Sequence, residues 1–197
     1  MVSPSPVFET HYQAYVDQLK DLQLDTLVER LGGSHATLPF LGQPHGISSQ
    51  GIVGPKGTRP SYEVCIVLFR HLLMCPPEFP RQGEWVSFKD LREAGPLTVY
   101  FRDNVLVPLA RKFGGQPLAL DEAAKALGGT LPDVALQYDV ARVIPVLPRI
   151  PLLLLFNGAD AEFPAECSLL FKGDVEAFLD AESIAILGHC LAQKLMN

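Results

Sequence analysis

Metal and redox frameworks are missing from this sequence. Its four cysteines, Cys65, Cys75, Cys167 and Cys190, are scattered, and no two have the C-x-x-C spacing of zinc or iron–sulfur sites. Cys65, Cys167 and Cys190 sit among apolar neighbours and read as small core residues. The histidines, His11, His35, His45, His71 and His189, never form H-x-H, H-x-x-x-H or H-E-x-x-H, so no spacing predicts a metal site. Gly32-Gly33 and Gly114-Gly115 lack G-x-G-x-x-G or Walker spacing and read as helix ends. Long apolar runs are missing too. The longest, residues 150–156, contains Pro151 and is far too short to span a bilayer. Positive charge is scarce: 16 basic against 22 acidic residues give a net charge of −6 with no basic cluster, which argues against nucleic-acid and membrane partners. Residues 1–6 have neither a basic n-region nor an apolar h-region, so no secretory signal is expected. These absences together predict a soluble, cytoplasmic protein.

What the sequence does have is apolar material. Apolar residues make up 48% and charged ones 19%, the composition of a folded globule rather than a disordered chain. No linker divides residues 1–197, so one domain is expected. Residues 8–31 carry apolar or aromatic side chains at helical spacing, with a bend near Leu24-Asp25 and a stop at Gly32-Gly33. Short segments around Leu38, Ile47 and Ile52, punctuated by Gly and Pro, read as a small meander. Residues 61–74 form a greasy helix capped at Ser61, and the Pro-rich turn Cys75-Pro76-Pro77-Glu78-Phe79-Pro80 stops it. A helix over 100–113 meets Pro108, where a kink or break is expected. Residues 118–127 make a short helix closed by Gly128-Gly129. From Val134 the period falls to two, predicting strands from there to Phe156 and again at Ser168-Leu169-Leu170-Phe171. Asp180 caps a final helix over 181–196. Helices at both ends with strands grouped between them predict an α+β fold, one mixed and mostly antiparallel sheet packed by the N- and C-terminal helices.

A few residues stand out chemically. Glu84, Trp85 and Ser87 put the single tryptophan between a carboxylate and a hydroxyl, a pocket wall with polar handles or, alternatively, an anchor for the turn. Ser87 has no G-x-S-x-G context and is no nucleophile of that kind; with Asp90 it spells a capping box. Arg102 beside Asp103 reads as a local ion pair or a contributor to a ligand site. Arg149, between two prolines in an apolar run, must reach solvent, pair with Glu84, Asp139, Glu162 or Glu166, or meet an anionic ligand. His71 follows Arg70 on the greasy helix, either bonded to a carbonyl or holding a redox or tetrapyrrole-type cofactor. The predicted cleft lies where the Glu84-Trp85-Ser87 segment meets the turn at Pro148-Arg149-Ile150, with Arg102 third.

The chain resembles the DUF3786 family. The resemblance rests on Leu38-Pro39-Phe40-Leu41-Gly42, on Gly83-Glu84-Trp85-Val86-Ser87-Phe88-Lys89-Asp90-Leu91, and on Phe101-Arg102 with Pro108-Leu109. It continues through Val146-Leu147-Pro148-Arg149-Ile150-Pro151, Glu162-Phe163-Pro164-Ala165-Glu166 and Ser168-Leu169-Leu170-Phe171. It implies a protein of anaerobic metabolism, found mainly in sulfate- or metal-reducing bacteria and some archaea, and no established activity. Some members carry a cysteine-rich segment resembling an iron–sulfur module. These 197 residues contain none, so cluster binding is not expected. Lys172 stands where the family pattern has aspartate after the Leu-Leu-Phe strand. The expected role is a non-catalytic small-molecule-binding or accessory protein, with a small molecule or a protein as partner. The alternative is an enzyme or carrier built around a redox or tetrapyrrole-type cofactor.

Overall fold

A computed structural model describes residues 6–34 and 36–197. Residues 1–5, most of the segment read for a secretory signal, lie outside them, as does His35. Helices α1 (Pro6–Leu19) and α2 (Leu24–Leu31) realise the predicted bent helix. Tyr12, Val16 and Leu19 of α1 and Val28 and Leu31 of α2 point into the core at three- and four-residue spacing. Strands β1 (Thr37–Phe40), β2 (Gln43–Ser48) and β3 (Gly51–Val53) form an antiparallel meander. Helix α3 (Tyr62–Leu73) follows it.

A second antiparallel sheet has the order β4-β7-β6-β5, from β4 (Trp85–Ser87), β5 (Val140–Leu147), β6 (Ile150–Asn157) and β7 (Glu166–Lys172). Residues 152–156 of β6 are buried on both faces, which explains a run with no polar alternation. Leu153, Leu155 and Phe171 are nearly inaccessible, as their setting predicts. Helices α4 (Thr98–Phe101), α5 (Val107–Phe113) and α6 (Pro117–Ala126) lead into the sheet, and α7 (Ala181–Met196) closes the chain. Asp180 caps α7 as expected, its Oδ1 accepting from the Ser183 N–H at 2.8 Å. Buried apolar side chains from Tyr12 to Leu195 form one cluster, so the fold is a single α+β domain.

Three expectations change. The strands form two sheets rather than one, because the outer edge of β5 is closed to the meander. Pro145 offers no donor there, and Thr130 takes both backbone groups of Val143, at 2.8 and 3.0 Å. The meander reaches β5 through the Leu41 N–H, which donates to Val146 at 2.9 Å. The alternating stretch from Val134 is not a strand. Val140 already pairs with Phe156, near the end of β6, so the residues before it find no partner, and Val134, Leu136 and Tyr138 stand exposed. The Trp85 segment, not read as a strand, is a short strand on β7.

Candidate functional site

The predicted kink at Pro108 is absorbed one turn earlier. Residues Arg102–Leu106 form a π-helical turn between α4 and α5. Proline brings no N–H for the Asn104 carbonyl four residues back, and its ring crowds that carbonyl, so the helix widens locally. This turn is one wall of a cleft of about 330 Å³. Phe88, Phe101, Leu106 and Leu169 make its lining largely apolar, and Ser87, Thr98 and Ser168 contribute hydroxyls. Lys89 and Arg102 bring two cations. Arg102 donates from Nε to Asp103 at 2.8 Å, whereas Lys89 makes no ion pair with any described residue. The aromatic floor is rigid: Phe88 and Phe101 stack with centroids 4.3 Å apart, and both lean on Phe171. Gly188 of α7 leaves room for that floor, since a Cβ there would fall 2.5 Å from the Phe101 ring. Two sequence-predicted residues, Ser87 and Arg102, are therefore brought together.

The others are not. The Ser87 hydroxyl donates to Asp90 at 2.5 Å instead of capping a backbone N–H, so the capping box forms through its side chains alone. Trp85 does not line the cleft; Lys172, its cross-strand partner, lies over the indole at 4.2 Å from its centroid. Glu84 is exposed, and its carbonyl accepts from Gly173 at 2.9 Å. That approach explains Gly83, where a Cβ would come within 3.0 Å of the Gly173 backbone. Arg149 meets none of its four suggested carboxylates. It stacks 3.6 Å from the Phe79 centroid and donates to the Arg30 carbonyl at 3.4 Å. Its φ of 66° lies in the left-handed region that turns reserve for Gly or Asn. His71 is wholly buried, tilted against Phe178, and lines none of the clefts described here. Burial depresses its pKa to about 3 against a weaker opposing effect of the Pro148 carbonyl, so the ring is neutral.

A second cleft, of about 400 Å³, was not read from the sequence. Its walls are the β1–β2 hairpin, the first turn of α3 and the last turns of α7. His45 is buried there at 4% exposure, its Nδ1 donating to the Gln43 carbonyl at 3.0 Å. Burial lowers the pKa of His45, outweighing that hydrogen bond, so the imidazole is neutral with Nε2 as an acceptor. His189 donates from Nδ1 to Asn104 at 3.3 Å, the carbonyl that Pro108 leaves without its helical donor. Glu63, Lys194 and Cys190 also line this cleft. Burial pushes the Cys190 thiol up to about 12, with Glu63 adding to the shift, so it stays protonated and inert. Cys65 and Cys167 are likewise pushed to about 12 by burial. Among the described residues no three His, Cys, Asp or Glu side chains converge on a metal position. Only Pro108, placed four residues after Asn104, hinted at this cleft.

The π-turn supplies a wall to the first cleft, and its Asn104 carbonyl anchors His189 of the second. A family model described as a domain of unknown function, DUF3786, matches residues 21–194. The chain belongs to the DUF3786 family. No curated protein and no solved structure matches it. Among the described residues of this DUF3786 protein, no helix is long and apolar enough to cross a membrane.

Proposed function

We propose that this DUF3786 protein is a non-catalytic small-molecule-binding or accessory protein, and that its ligand has an apolar body and one anionic group. The cytoplasm of an anaerobic organism, the setting the family resemblance implies, belongs to the same proposal. One observation carries it: a mostly apolar cleft, floored by stacked rings and bordered by a π-turn, has Arg102, paired with Asp103, and the unpaired Lys89 on its lining. Small-molecule sites have this character, apolar walls with a few placed polar groups. π-turns inside α-helices also cluster at functional sites. Binding rather than catalysis is supported by Ser87, whose hydroxyl is spent on Asp90 and which has no histidine beside it in this cleft.

The probe is 1-anilinonaphthalene-8-sulfonate, an apolar aromatic with one anionic group. Saturable one-to-one binding by fluorescence is expected, weakened at least tenfold by Lys89→Glu and abolished by Ser168→Trp, which fills the cleft. Both positions are exposed, so far-ultraviolet circular dichroism should confirm an unchanged fold. Absence of saturable binding, or equal binding by both variants, sinks the proposal.

A further inference from the structure

We infer that Arg30 and Arg149, gathered on the Phe79 ring, form a second ligand site, and that it takes the phosphate group of a small molecule. This site is independent of the cleft at the π-turn and shares no residue with it.

The first support is a pair of cations without an anion. Arg149 lies 3.6 Å and Arg30 5.4 Å from the Phe79 centroid, which holds the two guanidinium carbons within about 9 Å of each other. Like charges that close repel. Neither makes an ion pair with any described residue, in a chain with 22 acidic residues against 16 basic. Glu29 and Glu78 are near at hand in the sequence, yet both stand exposed and pair with neither arginine. An anion from outside would remove the repulsion that the protein leaves in place.

The donors left over are the second support. A guanidinium carries five N–H donors. Arg30 spends two on the Pro76 and Pro77 carbonyls, at 2.6 and 2.7 Å, and Arg149 spends one on the Arg30 carbonyl, at 3.4 Å. The rest find no acceptor among the described residues. The same contacts fix the aim of both side chains, tying Arg30 to the Pro-rich turn and Arg149 to the end of α2. Phe79 is itself held by stacking on Phe178, with centroids 5.9 Å apart. Cations ordered in advance give up little side-chain freedom when a ligand arrives. Arg149 also keeps a left-handed φ of 66°, and strain of this kind is retained where the surroundings impose it, often at ligand clamps.

Cys75, half-buried on the same turn, registers both charges. Burial pushes its thiol up, and Arg30 and Arg149 each work against that shift, so their positive fields overlap there. Arginine forks pair two-pronged with carboxylates and phosphates alike. A carboxylate has two oxygens, which one fork occupies. A phosphate monoester has three free oxygens and a charge of about −1.5 to −2 at neutral pH, enough to answer both arginines.

The test titrates glycerol 3-phosphate, inorganic phosphate and acetate into the full chain by calorimetry at fixed ionic strength. Glycerol 3-phosphate has no apolar body for the first cleft. Both phosphates should bind one-to-one, and acetate at least tenfold more weakly. Tighter binding of glycerol 3-phosphate assigns the site to a monoester; inorganic phosphate binding as tightly or more so assigns it to the free ion. Arg149→Gly suits the left-handed backbone, should stay folded and should weaken binding at least tenfold. Arg149→Lys keeps the charge and loses the fork, and should fall between that variant and the parent. Arg30→Gln keeps a donor for the Pro-rich turn and should also cost at least tenfold. No saturable binding of either phosphate, acetate binding as tightly, or Arg149→Gly and Arg30→Gln binding like the parent overturns the inference. Binding of the naphthalene probe would survive that result, so the two readings fail separately.

Discussion

His71 keeps a neutral ring in the core, and the folded chain loses stability for it as acidity rises. The unfolded chain takes up a proton near the ordinary 6.5, whereas the folded ring resists until about pH 3. Its contribution is therefore intact above 6.5 and shrinks by about 1.4 kcal/mol per unit as pH falls towards 3. His45, also depressed by burial, acts in the same direction. Urea unfolding of His71→Leu between pH 7 and pH 4 should give a visibly flatter dependence than the parent, and an unchanged slope would reject this account. Arg149 offers a second case. Left-handed backbone at a non-glycine residue costs about 1 kcal/mol or more, and stacking on Phe79 returns roughly 0.5–1 kcal/mol. Arg149→Ala keeps the strain and loses the stacking, so it should destabilise by about 0.5–1 kcal/mol. Arg149→Gly loses both and should be close to neutral. Glycine proving worse than alanine by denaturant midpoint would show that the strain is misjudged. Neither residue's role was legible in sequence, because each depends on a ring from a distant segment, Phe178 for one and Phe79 for the other.

Elements were read best where a local rule sufficed. The ends of α7, with Asp180 before it, and the break between α1 and α2 follow from caps and periodicity. The failures at Val134 and Trp85 share a cause: a strand needs a partner, and partners are set by register between distant segments. The site divides likewise. Ser87 and Arg102 share one cleft because each adjoins one of two stacked rings, Phe88 and Phe101, whereas His45 and His189 share theirs only through the packing of a hairpin on α7. The packing of α7 on Phe101 of α4 makes Gly188 sensitive. Alanine in a helix interior normally gains about 1 kcal/mol over glycine. Here its Cβ would strike Phe101, which is clamped by Phe88 and Phe171. Gly188→Ala should therefore destabilise by roughly 1–3 kcal/mol in denaturant unfolding, and it should weaken the naphthalene probe at the same time. A stabilised variant would mean that the ring is freer than its stacking implies.

At the scale of the molecule, one continuous core joins both sheets and all the long helices, and this predicts one cooperative transition. Near- and far-ultraviolet circular dichroism should trace coincident urea curves, and a meander that melts ahead of the larger sheet would contradict it. The thiols lead further. Cys65, Cys167 and Cys190 lie on α3, β7 and α7, each unpaired and each held protonated by its surroundings. A thiol in that state is nearly invisible to iodoacetamide, which reacts with the thiolate. Cys65, buried on α3, becomes reactive only when its own stretch of chain opens, whereas Cys167 and Cys190 are half-buried. The protein thus carries a native stopwatch in Cys65, whose labelling rate would time the opening of α3 without any introduced probe.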